Sequence, residues 1–158
     1  MFRVLFVCTG NICRSPTAEG IFRNLVAARG LTDRIDADSA GIGSWHAGEP
    51  PDARSQESAA ARGVDISSQR ARSVRPDDYA NFDLILAMDS GHYRSLERSC
   101  PAAFADRVRL FMDYAPETGM TDVPDPYYGA GNGFTRVFDM IEIASMRLLS
   151  DIETRHLA

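Results

Sequence analysis

Five residues separate Cys8 from Arg14, and the segments on either side of that interval prefer different backbones. Upstream, Val4-Leu5-Phe6-Val7 is a continuous apolar run, the pattern of a strand buried on both faces. Downstream, Pro16 suits the first turn of a helix, where its missing N–H is no loss. Ser15 stands where an N-cap would. Ile21, Phe22, Leu25 and Val26 then recur at helical spacing before Gly30. A strand must therefore become a helix within Cys8-Thr9-Gly10-Asn11-Ile12-Cys13-Arg14-Ser15. A loop that tight can point its backbone N–H groups at one centre, and the helix N-terminus adds positive potential there. Both effects favour a bound anion and the ionised form of a thiol at the base. Arg14 contributes a planar fork of donors matched to two phosphate oxygens. A thiolate, an oxyanion cradle and an arginine describe a nucleophile aimed at a phosphoryl group.

The rest of the chain alternates strand and helix. Phe2 to Val7 is the first expected strand and Ile35 to Ser39 a weaker second one, broken by Ala40-Gly41-Ile42-Gly43. Asp52 is placed to cap a helix over Ala53–Arg62 that Gly63 ends. A short helical turn is expected between Pro76 and Asn81, a buried strand over Asp83–Met88, a helix over Asp89–Arg98 and a fourth strand over Val108–Met112. The last helix, about Phe134 to Glu153, carries Val137, Phe138, Ile141, Ile143, Ala144, Leu148 and Leu149 as one broad apolar face. This order predicts the α/β class: a parallel sheet with helices on both faces. In such sheets ligands sit at the carboxyl ends of strands, near a switch in strand order, and the Cys8 loop lies at one such end. The stretch from Ala115 to Asn132 is long for a connection, which favours a functional loop.

At 158 residues, with 44% hydrophobic and 25% charged side chains, the chain reads as a single domain able to bury a real core. Its net charge of −5 argues against a broad nucleic-acid footprint, so an anion site must be local. The N-terminal apolar run is too short for a signal-peptide core or a membrane span. Cys8, Cys13 and Cys100 are too few, and odd in number, for a disulfide framework. These features predict a cytoplasmic protein with reduced thiols, with neither nucleic acid nor membrane as a partner.

Each candidate residue has a plainer reading beside the chemical one. A free cysteine is most often buried packing, but Cys8 ends a strand at a glycine-containing loop, a poor place for inert packing. Arg14 could pair with a surface carboxylate; its fixed distance from Cys8 argues for the cradle. Ser15 can cap the helix and also donate to the thiolate. Asn11 fits a left-handed turn position. Cys13 either packs or traps an oxidised Cys8 as a disulfide. The thiolate also needs an acid to protonate the leaving oxygen. His46, His92 and His156 form no evident Cys–His pair, whereas Asp125 in Val123-Pro124-Asp125-Pro126-Tyr127-Tyr128-Gly129 is held between two prolines that restrict its backbone. By spacing alone Asp-Pro is a turn signal.

Cys8-Thr9-Gly10-Asn11-Ile12-Cys13-Arg14-Ser15-Pro16 together with Asp125-Pro126-Tyr127-Tyr128 resembles the low-molecular-weight protein tyrosine phosphatase family, over nearly the whole chain. The Cys-x5-Arg spacing alone is shared by several phosphatase folds; the two motifs together are far more specific. The resemblance implies a four-stranded parallel sheet flanked by helices, with a phosphate-binding loop after the first strand. It implies hydrolysis of phosphotyrosine through a phosphocysteine, with no metal and no cofactor. Carried over, Cys8 attacks phosphorus, and Arg14 with the loop N–H groups of Thr9, Gly10, Asn11, Ile12, Cys13 and Ser15 binds the oxygens. Asp125 protonates the tyrosyl oxygen and then helps water hydrolyse the intermediate. Trp45, His46, Tyr127 and Tyr128 form the substrate rim, with Ile12 beside them. The implied partners are phosphotyrosine-bearing proteins and a cognate tyrosine kinase, the protein itself acting as a monomer or weak oligomer.

The chain departs from the family pattern twice. Gln69-Arg70-Ala71-Arg72 stands where His-x-Ala-Arg is frequent, and Met88-Asp89-Ser90-Gly91-His92 where Met-Asp-x-x-Asn is frequent. Both concern support of the site; Asp89, at a strand end, is placed to brace it. Three rival readings share parts of the pattern. An arsenate reductase would need a resolving cysteine pair in mid-chain, and Leu86 to Cys100 offers only Cys100. A sugar-transport phosphocarrier would have little need of Asp125. A regulatory anion-binding module would not need a nucleophile at Cys8.

Overall fold

The computed structural model describes residues 1–126 and 133–157. Four strands, β1 (Phe2–Cys8), β2 (Ile35–Gly41), β3 (Leu84–Ala87) and β4 (Val108–Leu110), form one sheet in the order β2-β1-β3-β4. All three pairings are parallel. The chain moves from β1 outward to β2, then crosses back to place β3 on the other side of β1. The reversal of strand order therefore falls beside β1, where its carboxyl end opens a crevice. Cys8 is the last residue of that strand.

Two cores follow from the pleat of β1. Val4 and Phe6 face a layer containing α1 (Arg14–Ala28), the small helix α2 (Ala53–Ala60) and α5 (Gly133–His156). Leu5 and Val7 face the opposite layer, with Tyr79 of α3 (Asp78–Asn81) and Leu96 of α4 (Ser90–Ser99). All four β1 residues are fully buried, consistent with their unbroken apolar run. Phe6 meets Phe22 edge-on at 5.6 Å and Phe111 at 5.4 Å, which seats α1 and the turn after β4 on the sheet. Edge-on pairs of this kind add about 0.5–1.5 kcal/mol beyond area burial.

Several boundaries differ from the sequence reading. β2 runs on to Gly41, because the Ala40-Gly41 pair continues the ladder as far as Cys8↔Gly41. β4 stops at Leu110; Phe111–Tyr114 turns into a 3-10 helix, as does Ala102–Arg107 before β4. α1 begins at Arg14, so Ser15 is not its N-cap: Cys13 holds that position with no side-chain cap, and the Ser15 hydroxyl turns to the site instead. Ile143, assigned to the apolar face of the last helix, is exposed, being out of phase with Ile141, Ala144 and Leu148. Asp52 and Asp89 do cap α2 and α4, each accepting a hydrogen bond from a first-turn amide. Among the described residues, no helix is long and apolar enough to cross a membrane.

Candidate active site

The loop after β1 is held from below by the neighbouring strand. Ile42 N donates to Cys8 O at 2.9 Å and Gly43 N to Thr9 O at 3.0 Å. A Cβ on Gly41 would lie 2.9 Å from Thr9 O and 3.0 Å from both Asn11 N and Gly10 C, so the loop backbone rests directly on this glycine. Asp52 N donates to Ile12 O at 2.8 Å, tying the far side of the loop to the start of α2. Asn11 adopts φ +58°, the left-handed conformation expected of it.

The Asn11 side chain organises the floor. Its Oδ1 accepts the Arg72 amide at 3.0 Å, and its Nδ2 donates to Ser15 Oγ at 2.8 Å and Ser39 Oγ at 3.0 Å. Ser39 Oγ donates to Glu19 Oε1 at 2.8 Å, and Arg23 Nε donates to Glu19 Oε2 at 3.0 Å. Burial pushes the Glu19 carboxyl above its ordinary range, against the opposing pull of Ser39 and Arg23. Gln69, one of the two departures noted in the sequence, donates from Nε2 to Pro16 O at 3.0 Å. Cys8, buried at the centre, has its Sγ 3.0 Å from Ser15 Oγ. Cys13 is also buried; loss of solvent, only partly offset by Ser55, pushes its thiol up to about 12.

Arg14 is buried on the wall opposite this floor. Its Nη1 donates to Asp89 Oδ2 at 2.9 Å and to Val123 O at 3.0 Å, and its Nη2 to Thr9 Oγ1 at 3.1 Å. A guanidinium has five N–H donors; both of those on Nη1 are engaged here, and Nη2 also lies 3.5 Å from His92 Nε2. Burial acts to raise the Asp89 carboxyl, but the His92 amide, the imidazole and Arg14 outweigh it and hold it below the ordinary range. Asp125 reaches the same guanidinium, Oδ2 to Nη2 at 3.5 Å, with its side chain 34% exposed.

These groups meet in one cleft of about 380 Å³, lined by the Cys8–Arg14 loop, Trp45, His46 and Asp125. Trp45 is 72% exposed, and its ring lies across Gly43 where any Cβ would overlap it. His46 covers Gly10 and pairs through Nδ1 with Glu49 Oε2 at 2.7 Å. Of the expected site residues, Cys8, Thr9, Gly10, Ile12, Cys13, Arg14, Trp45, His46 and Asp125 share this lining, while Asn11 and Ser15 lie behind it. Tyr127 and Tyr128 fall outside the described residues. Among the described residues, no cluster of three or more His, Cys, Asp or Glu side chains could hold a metal ion.

Ser39 and Glu19 support the site without having been singled out from sequence. For Ser39 the available signal was the polar character of β2, which carries Asp36, Asp38 and Ser39. Residues 3–157 match the family model described as low molecular weight phosphotyrosine protein phosphatase. The low molecular weight protein-tyrosine-phosphatase YfkJ of Bacillus subtilis is 44% identical over 153 residues, 97% of each chain. A protein tyrosine phosphatase from Entamoeba histolytica superposes with a TM-score of 0.94 at 38% identity, covering 98% of both chains. A Drosophila arginine phosphatase superposes with a TM-score of 0.89 at 33% identity, covering 96% of this chain and 98% of its own. The chain belongs to the low molecular weight phosphotyrosine protein phosphatase family.

Proposed function

We propose that this protein-tyrosine phosphatase hydrolyses phosphotyrosine in proteins by passing the phosphoryl group through Cys8, with Arg14 and Asp125 as its other catalytic groups. The convergence of Cys8, Arg14 and Asp125 on one cleft carries this reading. Phosphoryl transfer rests largely on positioning and charge stabilisation. Arg14 and the N–H groups of residues 9–15 take the non-bridging oxygens. The Cys8 thiolate attacks phosphorus, an S–P bond forms, and the P–O bond to the tyrosyl oxygen breaks as Asp125 gives that oxygen its proton. The Asp125 carboxylate then takes a proton from water as the water oxygen attacks phosphorus. The S–P bond breaks and the thiolate leaves, hydrogen-bonded by Ser15. No step calls for a metal.

The mouth of the cleft favours an aryl ester. Ile12 and Trp45 offer apolar walls, and a thiol at the floor of a deep cleft is reached by a phosphotyrosine ring more readily than by a short seryl stem. His46 completes the rim, with Tyr127 and Tyr128 assigned to it by family resemblance. Substrates of this class include autophosphorylated tyrosine kinases, and a cognate kinase is the partner the reading implies. Three free thiols suit a cytoplasmic setting.

The test is turnover of a phosphotyrosine peptide with a chelator present, against phosphoserine and phosphoarginine peptides. Cys8→Ser abolishes turnover and Asp125→Asn slows it about 10²–10⁴-fold, the usual contribution of a general acid. Metal-dependent turnover, or full activity in Cys8→Ser, would overturn the mechanism. Preference for the phosphoarginine peptide would replace the aryl reading with the activity named for the Drosophila neighbour.

A further inference from the structure

We propose that His92 is a positioning residue that holds Arg14 and Thr9 in their phosphate-receiving geometry by closing a ring of four side chains. The inference rests on Arg14 being the phosphate-binding arginine. The imidazole comes from the first turn of α4, and its side chain is 7% exposed. Its Nε2 is 2.7 Å from Thr9 Oγ1 and 3.5 Å from Arg14 Nη2. Its Nδ1 lies 3.2 Å from Asp89 Oδ1, within ion-pair distance but off hydrogen-bond alignment. Arg14 spans the other side of the ring, donating to Thr9 Oγ1 at 3.1 Å and to Asp89 Oδ2 at 2.9 Å.

The charges that flank the imidazole ring favour one of its two neutral tautomers. Arg14 can only donate, and an ionised Asp89 can only accept. The imidazole nitrogen facing the carboxylate therefore carries the hydrogen, and the nitrogen facing Arg14 and Thr9 presents its lone pair. Thr9 then gives its hydroxyl hydrogen to His92 Nε2 and turns an oxygen lone pair to Arg14 Nη2. The neutral Nδ1–H tautomer satisfies this arrangement; a protonated ring would set a second cation against the guanidinium. His92 thus determines which way Thr9 points, and Thr9 determines where one edge of Arg14 is held. Without that acceptor, the nearest alternative for Nη2 is Asp125, whose Oδ2 is already at 3.5 Å. An arginine drawn onto Asp125 would occupy both the anion binder and the acid.

Phosphate affinity reports on Arg14 without requiring turnover. Inorganic phosphate is titrated calorimetrically into Cys8→Ser protein, alone and with His92→Ala, Thr9→Val or both. His92→Ala is expected to weaken binding about tenfold, the loss of roughly one hydrogen bond. His92→Gln, whose Oε1 can accept from Thr9, should recover most of it. In the Thr9→Val background His92→Ala should add little, because its effect passes through the hydroxyl. Unchanged phosphate affinity in His92→Ala, additive losses in the double variant, or failure of Gln to rescue would each overturn the proposal. Absence of phosphotyrosine turnover in the unmodified protein, with phosphate binding still dependent on His92, would overturn the proposed function and leave this inference standing.

Discussion

Asn11 Nδ2 stands 2.8 Å from Ser15 Oγ and donates to it, leaving the serine's own hydrogen for another acceptor. The Asn11 amide cannot flip, because its Oδ1 accepts the Arg72 amide. With Ser15 Oγ receiving a hydrogen bond, its own hydrogen has Cys8 Sγ at 3.0 Å and Ala40 O at 3.4 Å as acceptors, and an ionised sulfur can only accept. Sulfur carries most charge when the thiolate is free, so the bond helps most when Cys8 leaves phosphorus. Ser15→Ala should slow breakdown of the phosphocysteine by about 10–100-fold, matching about 1.5–3 kcal/mol for a hydrogen bond to a charged group. Rapid-quench kinetics with an aryl phosphate should then show a burst of released phenol. Unchanged turnover without a burst would refute the role.

Gly41 supports the same loop by having no side chain. The atoms a Cβ would meet belong to backbone, so they cannot rotate away and the loop itself must shift. Gly41→Ala is expected to lower kcat/KM about 10²-fold, the scale of a misplacement near 1 Å. Phosphate affinity should fall with it, while far-UV circular dichroism stays native. Wild-type phosphate affinity in the variant would show that the cradle does not depend on this contact.

Cys13 shares the loop with Cys8 but is chemically quiet. With its thiol pushed up to about 12 by burial, its thiolate fraction at neutral pH is on the order of 10⁻⁵. Iodoacetamide at pH 7 should therefore label Cys8 and leave Cys13 intact, as read by peptide mass spectrometry. Comparable labelling of both thiols at pH 7 would contradict the assignment.

Trp45 tests the wall of the cleft separately from its floor. Its ring is exposed and braced on Gly43, outside the core and on the proposed path of an aryl group. Trp45→Ala should raise KM for a phosphotyrosine peptide about tenfold, near 1.4 kcal/mol, as expected for one lost aromatic pair. Competitive inhibition by inorganic phosphate should not change. Equal losses for both would mean that Trp45 shapes the loop rather than the ring site.

The parts legible in sequence were those fixed by local chemistry. A four-residue apolar run, Pro16 and the Cys-x5-Arg interval specify a strand, a helix start and an anion-binding turn within one short segment. Asn11 announced its left-handed backbone through residue type. Asp125 lay over a hundred positions away and was found through its Pro-Asp-Pro setting and the family resemblance. What stayed hidden depends on strand order. Ser39 and Gly41 touch the loop only because β2 lies beside β1, and His92 reaches Arg14 only because β3 lies on the other side, where Asp89 gives the bracing expected of it. The misreading of Ser15 has a local source: a serine before proline fits an N-cap by rule, but the helix begins at Arg14 and the hydroxyl meets Cys8 and Asn11 instead.

The burial of His92 also sets a pH window for stability. Loss of solvent, reinforced by Arg14, lowers the imidazole from 6.5 to about 4, although Asp89, Asp125 and Asp122 act in the opposite direction. An unfolded chain protonates this histidine below about pH 6.5, whereas the folded chain resists protonation until about pH 4. Between those values the unfolded state holds more protons, so stability falls as pH falls. The contribution is fully present above pH 6.5 and its loss across the window totals about 3 kcal/mol. Asp89 acts lower: its depressed carboxyl contributes stability that is lost only as pH falls below the ordinary carboxylate range. Urea unfolding at pH 7.0, 6.0, 5.0 and 4.5 should therefore show a decline in unfolding free energy that His92→Gln removes in large part. A slope identical in the two proteins would mean that the imidazole takes up its proton in the folded state as readily as in the unfolded chain.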